Sequence, residues 1–250
     1  MNQTGGLDRT THRRAAGRWD KVFSRIAARH PVPVATPRDR AGDPRPGLDR
    51  MASRTDRRTT GAPAPSGPCN ADWIWRPEMF RGMAPADHVP LDSGRVLCSG
   101  VQIFHDCRDA EITLRQQPAG ASTGTASQAL EIDVLSFRGD FLSVVIDLPD
   151  AAIDGLGLSH VIQVETLLEA ERPLGAFLRL NLKHGPNIEQ MVRELATGNG
   201  IAVTEFDLAY AGLGGSRIDR AWIDVILQKP ALNRLVLGDF VCSRRLRAEL

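Results

Sequence analysis

From Val96 to the C-terminus, apolar and polar residues alternate in short runs, which is the period of a strand with one buried face. In Phe177–Lys183 the leucines 178, 180 and 182 point one way, and Arg179, Asn181 and Lys183 point the other. Phe206 and Leu208 oppose Glu205 and Asp207, and Ile223, Val225 and Leu227 oppose Trp222 and Asp224. The pattern predicts strands at 101–105, 111–116, 130–136, 141–147, 161–169, 177–184, 189–195, 203–210, 222–227, 234–237 and 240–243. Turn-forming clusters separate them, among them Arg138-Gly139-Asp140, Gly185-Pro186-Asn187 and Gly198-Asn199-Gly200. Residues 150–158 allow one short helical turn. With no helices between the strands, an α/β fold is excluded. The expected class is all-β: an antiparallel, jelly-roll-like β-sandwich behind an N-terminal arm that is disordered or partly helical.

The arm follows a different pattern. Trp19, Val22, Phe23 and Ile26 fall on one helical face, flanked by Arg14, Arg18, Lys21, Arg25 and Arg29. Residues 1–30 are therefore a candidate basic amphipathic helix. Its apolar face suits either docking onto the body or a partner protein, or, through residues 7–29, an anionic membrane surface. Residues 31–68 are rich in proline and arginine and poor in apolar surface, and they read as a disordered linker. The sandwich is expected over 69–250, opening at Asp72-Trp73-Ile74-Trp75. In an extended segment the two tryptophans share a face, where they cap a core or stack on a ligand.

Charge divides the chain at the same place. Residues 1–68 carry a net +8 and the remainder −7, within an overall +1. A basic arm on an acidic body suits an acidic partner. The arginines lack interleaved aromatics, however, so specific nucleic-acid recognition is not expected. There is no apolar N-terminal leader and no run long enough to span a bilayer, so the expected location is cytoplasmic and the four cysteines are expected as thiols. They form no CxxC pair, so neither a metal nor any other cofactor is expected.

The best candidate for chemistry is the polar face of the strands. Arg179, Asn181, Lys183, Glu205, Asp207, Trp222 and Asp224 would form a ligand-binding surface if one sheet gathered them. Carboxylates, amides and an indole together suit a glycan, and a protein partner is the other candidate. The bland alternative is a solvated face of cross-strand charge pairs. Phe104-His105-Asp106-Cys107 places a histidine near a thiol, but reads better as a turn with an aspartate cap and a buried cysteine. Glu131/Asp133 and Glu169/Glu171 are carboxylate pairs of the kind glycosidases use, in a chain with many carboxylates. No catalytic residue stands out. The leading expectation is a non-catalytic binding or scaffold module. A polysaccharide hydrolase and an arm-anchored peripheral membrane protein are the alternatives.

The stretches DWIWRPEMF, FHDC, LNLKHGPNIEQ, EFDLAY, AWIDVI and SRRLRAEL occur in that order between Asp72 and Leu250. Over this span the chain resembles an uncharacterised bacterial family, domain of unknown function 6478. The resemblance implies an alphaproteobacterial, cytoplasmic setting and a basic helical N-terminus, and it carries no functional residue. The closing strand–turn–strand, Ala221 to Leu250, is similar to the end of jelly-roll carbohydrate-binding modules.

Overall fold

The computed structural model describes residues 64–82, 91–120, 126–198, 200–214 and 217–248. The candidate arm helix at 7–29 and most of the 31–68 linker lie outside the described residues. No described helix is long and apolar enough to cross a membrane.

Among the described residues, twelve strands form two antiparallel sheets. They are β1 (Ala71–Trp75), β2 (Arg95–Cys98), β3 (Val101–His105), β4 (Glu111–Pro118), β5 (Gln128–Ser136), β6 (Phe141–Asp147), β7 (His160–Ala170), β8 (Ala176–His184), β9 (Asn187–Glu194), β10 (Ala202–Asp207), β11 (Arg220–Gln228) and β12 (Asn233–Leu246). Sheet I has the order β10-β7-β12-β5-β4, with β1 also paired to β12; sheet II has the order β2-β3-β6-β11-β8-β9. The one α-helical turn among the described residues, α1 (Asp150–Ile153), lies within the stretch expected to be helical. From β5 onward the chain crosses repeatedly between the sheets, which gives the sandwich its jelly-roll-like character.

The inward residues of both sheets make one core. Ile132, Leu168, Phe206, Leu235 and Phe240 of sheet I meet Ile103, Val144, Leu178, Leu180 and Val225 of sheet II, all essentially buried. Burying each of these side chains contributes about 1.5–3 kcal/mol. Trp73 and Trp75 do share a face: their rings stack with centroids 6.1 Å apart and pack against this core.

Two expectations need correction. The runs 234–237 and 240–243 belong to one strand, β12, interrupted by a register shift between Leu237 and Asp239. The closing strand–turn–strand, Ala221 to Leu250, is also not a hairpin. β11 lies inside sheet II, β12 lies inside sheet I, and the Lys229–Leu232 turn carries the chain from one sheet to the other. Lys229 and Leu232 adopt φ of 45° and 53° there, in the left-handed region that non-glycine residues seldom occupy.

The β12 irregularity is where the most buried ion pair among the described residues forms. Arg76, directly after β1, donates from Nε and Nη2 to the two carboxylate oxygens of Asp239 at 2.8 and 2.9 Å. The side chains are 1% and 7% exposed. The Asp239 carboxylate also accepts from the Phe240 amide at 2.7 Å, and its carbonyl accepts from Thr166 Oγ1 at 2.7 Å. Removing one partner leaves a buried charge uncompensated. Asp239→Ala is therefore expected to lower unfolding stability by about 3–5 kcal/mol. Asp72→Ala, which removes the more exposed pair with Arg244, is expected to cost within about 1 kcal/mol. Urea midpoints of the two variants measure the difference; equal losses would refute it.

Candidate ligand-binding surfaces

The seven candidate residues fall into two groups on two sheets. Arg179, Asn181, Lys183, Trp222 and Asp224 share the outer face of sheet II, where β8 and β11 pair Asn181 with Trp222 and Arg179 with Asp224. Glu205 and Asp207 lie on β10, at the edge of sheet I. The strand pattern identified a polar face correctly in each case. Which sheet a strand joins depends on its crossover, which alternation does not encode.

The sheet II group is a closed network. Arg179 contacts the Asp224 carboxylate through Nε at 2.6 Å and Nη2 at 2.5 Å. Asn181 Nδ2 donates to the same Asp224 oxygen at 3.0 Å, and Gln190 Nε2 donates to Asn181 Oδ1 at 3.0 Å. Arg220 bonds Asp147 and holds its guanidinium 5.1 Å from the Trp222 ring centroid. Lys183 stands at the end of the row, paired in register with Arg220. Asp224, Asn181 and Trp222 are 1%, 0% and 6% exposed. This is not a solvated polar face, and the indole is not open for stacking.

The outer face of sheet I is different at each end. On β5, Glu131 is buried between Arg115 and Arg234, with Arg234 Nη2 2.6 Å away. Asp133 lies 3.8 and 3.9 Å from those two arginines. Burial pushes the Glu131 carboxyl up, but the hydrogen bonds and charges of Arg234 and Arg115 outweigh it and hold the group below the usual carboxylate range. The Glu131/Asp133 pair is thus a structural charge cluster. At the other end, Glu205 pairs with Arg245 at 2.9 Å and Asp207 with Arg247 at 3.1 Å. After β10 a short 3₁₀ turn, Leu208–Tyr210, begins with Asp207 accepting from the Ala209 amide at 3.0 Å. It presents Tyr210, 76% exposed, with the Arg247 guanidinium 5.9 Å from the ring centroid. The strand pattern named neither Tyr210 nor the two arginines as site residues. The signal was available: Tyr210 is the chain's single tyrosine, and it follows a strand whose outward residues are acidic.

The Phe104–Cys107 segment is structural, as read from its residues. The Asp106 carboxylate accepts from the Asp140 and Phe141 amides, and buried Cys107 accepts from the Arg138 amide at 3.3 Å. The two ring nitrogens of His105 lie 3.0 Å from the Cys107 carbonyl and 2.9 Å from the Leu91 carbonyl. Burial, with Glu78 nearby, pushes the Cys98 thiol up to about 11, away from the reactive thiolate. Among the described residues no cluster of three or more metal-ligating groups occurs.

The fold and these surfaces define an all-β, jelly-roll-like sandwich module with two arginine–carboxylate faces. The chain belongs to the family of unknown function DUF6478, whose model matches residues 1–250 and so includes the arm as well as the stretch from Asp72 onward. No curated protein matches it. Among solved structures it is similar to the family 11 carbohydrate-binding module from Clostridium thermocellum in complex with a β-1,3-1,4-mixed-linked tetrasaccharide. That match has 12% identity and a TM-score of 0.39, and covers 63% of this chain and 96% of that one. TmCBM61 in complex with β-1,4-galactotriose matches at 15% identity and a TM-score of 0.34, covering 60% and 90%. The enzymatically active domain of bacteriophage CBA120 tailspike protein 4 matches at 11% and 0.39, covering 60% of this chain and only 20% of that one. At TM-scores this low, none of these likenesses bears on what this chain binds.

Two outcomes follow from the geometry. Trp222→Ala is expected to cost about 3–5 kcal/mol because the ring is buried. Tyr210→Ala is expected to stay within about 0.5 kcal/mol. Thermal or urea melts compare them, and a stable Trp222→Ala protein would contradict the closed-network description. The acid limb should depend on Glu131. Its folded carboxyl titrates below the unfolded value of about 4.3, so its contribution is complete above that value and is lost as pH falls through the folded one. Glu131→Gln should therefore show a flatter loss of urea midpoint than wild type below about pH 4.3; parallel curves would refute this.

Proposed function

We propose that this chain is a non-catalytic β-sandwich binding module, and that its ligand is a glycan contacted around Tyr210 on the outer face of sheet I. The observation that carries this reading is the exposed Tyr210 ring beside two fixed arginine–carboxylate pairs. An aromatic face stacks on the C–H face of a sugar, and guanidinium and carboxylate groups exchange hydrogen bonds with its hydroxyls. Because Glu205 and Asp207 are already held by Arg245 and Arg247, little side-chain freedom is lost when a ligand arrives.

The alternative of a hydrolase needs one carboxyl kept protonated as a general acid and a second carboxylate facing it across the scissile bond. The candidate carboxylates of the two polar faces, Glu205, Asp207 and Asp224, each take an arginine as partner. No observation favours that alternative over binding.

A glycan array probed with the full chain tests the proposal. Wild type is expected to bind a restricted set of glycans, Tyr210→Ala to lose that signal by tenfold or more, and Val96→Ala, on the β2 edge of the other sheet, to retain it. The factor of about ten corresponds to the 1.4 kcal/mol expected of one stacking contact. No binding by wild type, or equal binding by Tyr210→Ala, would overturn it.

A further inference from the structure

β10 is the terminal strand of sheet I, paired with β7 over six residues without a register shift. Among the described residues, no strand pairs with it on its other side. An unpaired edge exposes a row of backbone donors and acceptors, and proteins usually blunt it with a bulge, a proline, charges or a cover. The other edge strands, β1, β2, β4 and β9, carry such devices, and β1 shifts register between Ala71 and Trp73. β2 is four residues long and has a register shift. β4 ends in Pro118, and the Gln116 side chain ties it to the carbonyls of Met79 and Gly82. β9 interleaves Glu189, Arg193 and Glu194. On β10 the charges are confined to one half, Glu205 and Asp207. The other half, from Gly200 to Thr204, has none and presents Ile201 at 50% and Val203 at 59% exposure.

We propose that this half-strand is a self-association surface, in which β10 pairs antiparallel with β10 of a second copy about a two-fold axis at Ala202. The register follows from the side chains. Outward residues alternate as Ile201, Val203, Glu205 and Asp207, with Thr204 and Phe206 turned inward. An axis at Glu205 sets like charges opposite each other, and an axis at Thr204 sets Val203 against a carboxylate; both are unfavourable. With the axis at Ala202, Ile201 faces the partner's Val203 and Val203 faces the partner's Ile201. Four exposed apolar side chains then form one patch, and Glu205 and Asp207 of both copies stay outside it. The Arg193 guanidinium of β9 lies 5.8 Å from the ring centroid of inward-turned Phe206. A ladder of five residues buries well under the roughly 1,200 Å² of a tight complex, so the dimer is weak and depends on concentration. The Ile201–Val203 patch lies at the opposite end of β10 from Tyr210 and the pairing uses none of the residues proposed to contact a glycan, so it stands whether or not a glycan binds.

Sedimentation equilibrium of the full chain, from about 10 μM to about 1 mM, tests the pairing. The weight-average mass of wild type should rise from one chain toward two. Val203→Lys and Ile201→Lys should each remain monomeric at the top concentration, and Val96→Lys, at an exposed position on the β2 edge, should follow wild type. Circular dichroism confirms that each variant is folded, and having two variants keeps the test informative if one is not. Hydrogen exchange gives an independent readout: those amides among residues 201–204 that point away from β7 should become protected only as concentration rises. A wild-type monomer at the highest concentration, or a Val203→Lys protein that dimerises like wild type, would overturn the proposal. Protection of those amides already present in dilute monomer would also overturn it, because the chain itself would then cover the edge.

Discussion

The Arg76–Asp239 pair holds together the two ends of the sandwich. β1 reaches only the second half of β12, where it pairs as Trp75 with Cys242 and Trp73 with Arg244. The first half of β12 is occupied on that side by β5. The changeover falls at the β12 register shift, where a regular ladder is impossible and backbone groups need other partners. A bidentate guanidinium–carboxylate contact satisfies both charges there, and the Phe240 amide and Thr166 hydroxyl complete the shell. Desolvating two ions is costly, so the pair adds little net stability over an apolar pair of the same shape. It fixes instead which residues of β1, β7 and β12 lie opposite one another. The half-buried Trp73–Trp75 stack depends on that register.

The same chemistry recurs outside the core. Arginine–carboxylate contacts occupy the outer faces of both sheets, and their degree of burial separates their roles. Arg179–Asp224 is withdrawn from solvent, and Glu131 is buried beneath half-exposed Arg115 and Arg234; both act as cross-strand clamps. Glu205–Arg245 and Asp207–Arg247 remain accessible next to an exposed aromatic ring. A face of the first kind resists ligands because its hydrogen-bonding capacity is already used inside the protein. A face of the second kind keeps that capacity at hand in a fixed geometry. For this reason the ligand reading moves from Trp222 to Tyr210, although both are aromatic residues beside arginines.

The strands were largely legible in the chain because a half-buried strand writes its two faces as a period of two. β3 and β6 occur over the residues expected, and β8 begins one residue earlier. Asp106 and the Gly185-Pro186-Asn187 turn were legible for a local reason: capping and turn formation involve residues with backbone preferences of their own. Gly185 adopts a φ of 53° at the tip of the β8–β9 hairpin. The site was legible only in part. Arg179, Asn181, Trp222 and Asp224 do converge, because β8 and β11 are direct neighbours. Glu205 and Asp207 do not join them, since β10 crosses to the opposite sheet. Near-continuous apolar runs in β6 and β11 were the available hint that the middle of sheet II is buried on both faces.

By itself, then, the sequence determined the all-β class, the positions of most strands, the side each residue takes and the break in character near residue 69. All of these depend on residues within a few positions of one another, through pleat geometry, turn preference and composition. Only the tertiary structure decided that the last two strands belong to different sheets. It alone paired Arg76 with Asp239 across 163 residues, buried Trp222 and left Tyr210 exposed. Those outcomes follow from crossovers and packing between distant segments, and the free energy of a long-range contact leaves no periodic trace in the chain that forms it.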